Sequence, residues 1–186
     1  MITTSPIAND ELEKLKYPVG KFILTNEFSS DLLQQFILGI ETFPVKIKAE
    51  TSYLSKEQLD TPYRDGGWTV RQVVHHCADS HMNGFIRMKL ALTENTPTIK
   101  PYVEALWAGF EDTKKLAVKP SFQILEGLHV RWVALLKSLN ENDLQKTYFH
   151  PEHKKEFTIY QSIQNYAWHC NHHLGHITSL KKRMGW

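Results

Sequence analysis

The sequence predicts an all-α protein, an up-down-up-down four-helix bundle assembled from two copies of a helix-hairpin unit. Three observations lead there. Four stretches place apolar residues three and four apart, the period of a helix with one buried face. Two of those stretches open on the same T-x-x-Q capping signal. Short matched blocks precede both caps, so the chain reads as one unit written twice.

The 186 residues, 41% of them hydrophobic, suit a single domain over 1–186, with 1–26 as an extended polar lead-in. The 22 basic and 20 acidic residues are interspersed, with a formal net charge of +2, which points to neither a nucleic-acid nor a membrane partner. No apolar core for a signal peptide and no run of membrane-spanning length is present, so a soluble, cytoplasmic protein is expected. Cys77 and Cys170 each fall on an apolar helical face and read as buried, reduced thiols.

Residues 17–24 carry Pro18 and Gly20 and read as extended. Ser30 is placed to cap a first helix through Leu33, Phe36, Ile37, Ile40, Phe43 and Ile47, and Pro44 within it predicts a bend. A short helical turn between Leu54 and Tyr63 and a tight loop, Arg64 to Gly67, lead to the second helix. There Thr69 and Gln72 form the capping box, with Trp68 set to staple onto Val73. Val70, Val73, Val74, Cys77, Ala78, His81 and Phe85 keep helical period to about Thr93. Thr96 to about Lys119 has weak periodicity and reads as a long connection across one end. The third helix follows Pro120 and Ser121, with Phe122, Leu125, His129, Trp132 and Leu136 on its apolar face. Phe149 to Phe157 holds turn residues between aromatic ends, the pattern of a small hairpin. Thr158 and Gln161 form the second capping box, and Ile163, Tyr166, Ala167, Cys170, Leu174 and Ile177 give the fourth helix its buried face.

The repeat aligns Leu54, Leu59 and Tyr63 with Leu139, Leu144 and Tyr148, and Trp68–Val74 with Phe157–Ile163. In an up-down-up-down bundle the second and fourth helices run parallel, so residues at similar depth past their caps converge.

Four of the ten histidines lie on the fourth helix: His169, His172, His173 and His176. At about 100° per residue, His169, His173 and His176 share one margin of the apolar stripe, and His172 points to the opposite, solvated side. His169 and His173, four apart, sit roughly 5–6 Å from each other at Cβ and can reach one ion. A third ligand is sought on the second helix among His75, His76 and His81. His76 is on the margin, beside Ser80 and Gly84, whose small size leaves room for an ion and a substrate. His81 reads as a buried, satisfied histidine. Against His76 stands a depth mismatch of roughly 6 Å with His169 if the helices are parallel.

The stretches around Asp60–Gly84, Thr96–Tyr102, Leu128–Leu136 and Tyr166–Trp186, with their VVHH and WHxxHH motifs, resemble the YfiT branch of the DinB/YfiT-like superfamily. The resemblance spans nearly the full chain. It implies a four-helix bundle, a homodimer, and one zinc or nickel ion per chain held by three histidines. Carried over by motif, these are His76, His169 and His173. Asn171, Gly175 and Cys77 depart from the family pattern without touching a proposed ligand. The implied activity is hydrolysis by a metal-activated water. The alternative is an S-transferase that binds a low-molecular-weight thiol, such as bacillithiol or mycothiol, at the same open metal position. A third reading, a non-enzymatic structural or stress-response module, leaves the histidines structural. No G-x-S-x-G or H-E-x-x-H motif supplies a recognisable catalytic base. His129 reads as packed and hydrogen-bonded, Asp79 and Glu126 as solvated face residues, and His150 and His153 as exposed. Met184 and Trp186 are candidate dimer contacts.

Overall fold

The computed structural model describes residues 6–25 and 27–186, so residues 1–5 and Asn26 of the lead-in lie outside the described residues. Four long helices form the bundle: α2 (Ser30–Thr51), α4 (Val70–Thr93), α7 (Lys119–Lys137) and α9 (Ile159–Met184). Short helices α3 (Lys56–Leu59) and α8 (Glu141–Gln145) occupy equivalent places in the two repeat units, and α5 (Glu104–Trp107) and α6 (Glu111–Lys115) punctuate the long connection. Strands β1 (Thr147–His150) and β2 (Lys155–Thr158) make the expected hairpin, antiparallel with Thr147 opposite Thr158.

The lead-in is not extended throughout. Helix α1 (Pro6–Lys16) precedes the irregular stretch at 17–24, and its Leu12 and Leu15 are half-buried on the side that meets α9. Ile7, Ala8, Leu12 and Leu15 give its sequence a short apolar stripe, but eleven residues are too few to hold a helix on local propensity alone, and contact with α9 supplies what is lacking. The first bundle helix is capped by Ser29 rather than Ser30, and it continues through buried Pro44.

Both T-x-x-Q boxes form. Gln72 N–H donates to Thr69 Oγ1 at 3.2 Å while Thr69 N–H donates to Gln72 Oε1 at 2.9 Å, and Thr158 with Gln161 repeats the exchange at 3.1 Å each way. Each box satisfies two helix-end donors that would otherwise be unpaired. Thr69→Ala and Thr158→Ala are each expected to lower stability by about 1 kcal/mol, a melting shift of about 2–4 °C by calorimetry.

The direction of the helices differs from the expected up-down-up-down arrangement. Helices α2 and α7 are antiparallel, since Lys48 pairs with Glu126 and Glu41 with Lys137. Helices α4 and α7 are parallel: His75 meets Ser121, His81 meets His129, and Met88 meets Trp132. Helices α4 and α9 run antiparallel, with Trp68 beside His173, His76 beside His169, and Ser80 bonded to Tyr166. Helices α2 and α9 are parallel, from the Phe36–Tyr160 ring contact to the Glu50–Lys181 ion pair. The order is therefore up-down-down-up. Its physical basis lies in the links at 52–69 and 138–158, which carry each unit's second helix across the bundle to pack on the other unit. Equivalent helices of the two units consequently face each other head to tail.

The core is continuous. Ile40, Phe43 and Ile47 from α2, Val73, Val74 and Cys77 from α4, Leu125, Trp132 and Leu136 from α7, and Ile163 and Ile177 from α9 form one cluster. Cys77 and Cys170 are buried free thiols, with burial pushing both far from ionisation. No helix of the described residues is long and apolar enough to cross a membrane.

Candidate metal centre

Head-to-tail packing of α4 on α9 removes the depth mismatch that counted against His76. Counting from the caps compared positions along parallel helices, whereas in the structure the first turns of α4 lie level with the later turns of α9. His76, His169 and His173 come together, their ligand-capable nitrogens all within 4.8 Å of one another. His76 Nε2 stands 3.3 Å from His169 Nε2. Two nitrogens bound to one tetrahedral zinc, each at about 2.0–2.1 Å, stand about 3.3–3.4 Å apart. The pair therefore already has the spacing that one ion requires. His173 contributes a ring 4.4 Å from that of His169 and 4.8 Å from that of His76. Its Nδ1 is buried without a hydrogen-bond partner. These residues fit a small divalent ion.

The remaining histidines take other places. His75 faces α7, with Nδ1 2.7 Å from Ser121 Oγ and Nε2 3.2 Å from the Leu116 carbonyl oxygen. His81 is fully buried between His129 and His169. His176 donates from Nε2 to the Lys16 carbonyl at 3.0 Å and stacks on Tyr63. His172 is not solvated as its wheel position suggested: it is only 9% exposed, covered by the Trp168 indole stacked at 4.3 Å and by Tyr17. The segment after α1 closes a face that the helical wheel leaves open. His172, His173 and His176 thus form a second group adjoining the first. His150 is also buried, against His153 and Phe157, and His153 is exposed. Asp79 and Glu126 are half-buried, and burial raises the Asp79 carboxyl to about 6.

Burial keeps the convergent imidazoles neutral. Desolvation lowers His76 to about 3, reinforced by the neighbouring His172 and His176, and holds His169 and His173 well below the usual range. Neutral imidazole is the form that binds a metal. The same burial makes the metal-free fold acid-sensitive. Unfolded histidines take up protons near about 6.5, whereas folded His129 resists down to about 4 and His76 to about 3. Because the folded values are depressed, stability is full above about pH 6.5 and falls as pH drops towards 4. Each such histidine adds up to about 1.4 kcal/mol per pH unit within that window. Urea unfolding of the metal-free protein at stepped pH checks this, and equal stability at pH 7 and pH 5 would contradict it.

A cavity of about 510 Å³ opens over the three imidazoles, walled by Tyr63, Trp68, Trp168 and Glu104. A second, of about 320 Å³, shares Glu104, Asn165 and His169 with the first and adds Ser80, Arg87 and His150. Sequence reasoning missed Glu104, Arg87 and Asn165, because the loop and short helices that bring Glu104 in carry no periodic signal. The space beside Gly84 is not open for substrate as expected: a Cβ there would stand 2.6 Å from Tyr166 Cε2, so glycine is what admits that ring.

In this helical bundle three neutral imidazoles converge beneath an open cavity, an arrangement that could hold a metal ion. Residues 48–177 match the model of the DinB superfamily. The chain belongs to that superfamily. Similar proteins include the Bacillus subtilis "Putative metal-dependent hydrolase YfiT", 45% identical over 172 residues, 92% of this chain and 97% of that one. A Bacillus licheniformis protein, also named "Putative metal-dependent hydrolase", is 47% identical over 94% of this chain and 99% of its own length. The solved YfiT structure from Bacillus subtilis, described as that of a probable metal-dependent hydrolase with an unusual four-helix bundle topology, aligns with TM-score 0.91 at 45% identity. It covers 93% of this chain and 99% of that one.

Proposed function

We propose that the protein is a metal-dependent hydrolase that holds one divalent ion, zinc or nickel, through His76, His169 and His173. The observation that carries this reading is the convergence of three neutral imidazoles under an open cavity. Catalytic zinc sites keep a position free, whereas structural ones are closed by four protein ligands. When bound, such an ion supplies Lewis acidity and lowers the pKa of a water or thiol that it meets. The chain's own groups do the rest. Trp68, whose ring stacks at 14° to His173 and lies 4.6 Å from that of His76, shields the site from bulk water. Among the described residues Glu104 is the carboxylate lining both cavities, and although it is exposed at the rim, partial desolvation raises its pKa, so it is placed to accept a proton.

One observation favours the thiol S-transferase as the second reading. Among the described residues, the non-histidine side chain in hydrogen-bond reach of the three imidazoles is Ser80, its Oγ 3.4 Å from His169 Nε2, and no carboxylate bonds them. A thiol ionised at the metal needs less help from a base than a water does. The test uses protein purified without a histidine tag and loaded with about one zinc per chain. Ester, amide and phosphoester panels are run with and without small thiols. Turnover without thiol supports the hydrolase, and consumption of an electrophile only with thiol supports the transferase. Chelation separates both from a structural role: the continuous core should keep the metal-free chain folded, whereas a structural site would unfold. A homodimer in the cytoplasm is the proposed state, with exposed Met184 as one contact, checked by light scattering.

A further inference from the structure

His81 and His129 line neither cavity over the imidazoles, yet they stand in line with one of the three. The line starts at a backbone carbonyl. His129 Nδ1 lies 2.6 Å from the Ile40 carbonyl oxygen, which can only accept, so Nδ1 carries the proton. His129 is buried and its pKa is lowered to about 4 by desolvation, so the neutral ring keeps a lone pair at Nε2. That lone pair faces His81 Nδ1 at 2.8 Å, which therefore donates. His81 is left with a lone pair at Nε2. The donor closest to it is His169 Nδ1 at 3.1 Å, with the Cys170 thiol at 4.0 Å. His169 in turn keeps its lone pair at Nε2, the atom 3.3 Å from His76 Nε2.

We infer that His81 and His129 are positioning residues that pass the polarity of the Ile40 carbonyl inward to His169, fixing its Nδ1–H tautomer and presenting Nε2 to the metal ion. The inference rests on the three-imidazole reading above and deepens it. A ligating histidine ordinarily donates its other N–H to a carboxylate, a carbonyl or a water, and that bond sets which nitrogen binds. In this core a carboxylate in that place would be a buried charge among Phe43, Trp132 and Tyr166, whose rings surround His81. Two neutral imidazoles reach a backbone acceptor instead, so every member is satisfied and no charge is buried. Among the described residues no hydrogen bond orients the His173 ring in this way. His169 is thus the ligand fixed in advance.

The test uses the full chain with nitrogen-15-labelled histidine, freed of metal. Long-range proton–nitrogen correlation spectra at pH 7 are expected to show His129, His81 and His169 as Nδ1–H tautomers. An Nε2–H form of His81 or His169 overturns the inference. Zinc is then titrated in competition with a chelator. His81→Leu, which removes donor and acceptor together, is expected to bind zinc about 10–100-fold more weakly. His81→Gln, whose amide can donate to His129 and accept from His169, is expected to recover most of that loss, which a purely packing role would not. Thermal unfolding of the metal-free variants reports which are folded, and if His81→Leu is not, the tautomer spectra of the unmodified chain decide. A folded His81→Leu with undiminished zinc affinity overturns the inference and leaves the three-imidazole reading intact. An unmodified chain that takes up no zinc, cobalt or nickel overturns that reading, and the inference falls with it.

Discussion

His169→Ala is expected to lose most of its bound metal, its zinc affinity falling by more than about 100-fold, beyond the range for losing an outer-shell partner. Two effects coincide at this residue. The substitution deletes one of three converging nitrogens, and it also strips His81 Nε2 of its closer donor, leaving that buried acceptor only the weak Cys170 thiol at 4.0 Å. His173→Ala deletes a nitrogen without the second effect, because among the described residues no hydrogen bond links His173 to His81 or His129. Both variants should lose metal, and His169→Ala should also lose metal-free stability by about 1–3 kcal/mol. Elemental analysis together with urea unfolding of the chelated proteins separates these contributions. Full occupancy in His169→Ala would remove it from the ligand set.

The sequence made much of this site legible, because period and spacing are local properties. The i, i+4 pair of His169 and His173 follows from helical geometry alone, and the boxes at Thr69 and Thr158 locate the starts of both site helices. Helix direction is not local. The matched blocks around Leu54 and Leu139 establish that two units exist, but the path of the links at 52–69 and 138–158 decides whether those units lie alongside each other or head to tail. That choice turns the depth of His76 from an objection into a fit. Burial is similarly non-local: His172 reads as exposed on a wheel until Tyr17 and Trp168 close over it. Glu104 and Arg87 reach the cavity from a four-residue helix after the long loop and from a flank of α4, positions that no motif marks.

Trp132→Ala is expected to have the largest effect on the fold, about 3–5 kcal/mol, or a melting point lower by about 6–20 °C in a chain of this size. Trp132 is fully buried at the centre of the bundle, its ring 5.0 Å from Tyr166, 5.9 Å from His81 and 5.8 Å from His129, with its indole N–H 3.1 Å from Met88 Sδ. Deleting it removes that contact area and leaves a cavity beside the two imidazoles that relay to His169. A polar-lined space of that size admits water, which would compete for His81 and His129. Zinc binding should therefore weaken along with stability, though no ligand has been touched. Trp132→Phe serves as the control. It keeps an aromatic ring against Tyr166 and His81 and loses only the weak N–H to sulfur contact and part of the volume, so its loss should be clearly smaller than that of alanine. Calorimetry of the metal-free proteins measures the first effect and competitive zinc titration the second. If Trp132→Ala melts within a few degrees of the unmodified chain, the centre of the core lies elsewhere. If it is destabilised but binds zinc undiminished, the imidazole line holds without its aromatic wall, and the packing around His81 and His129 serves the fold rather than the metal.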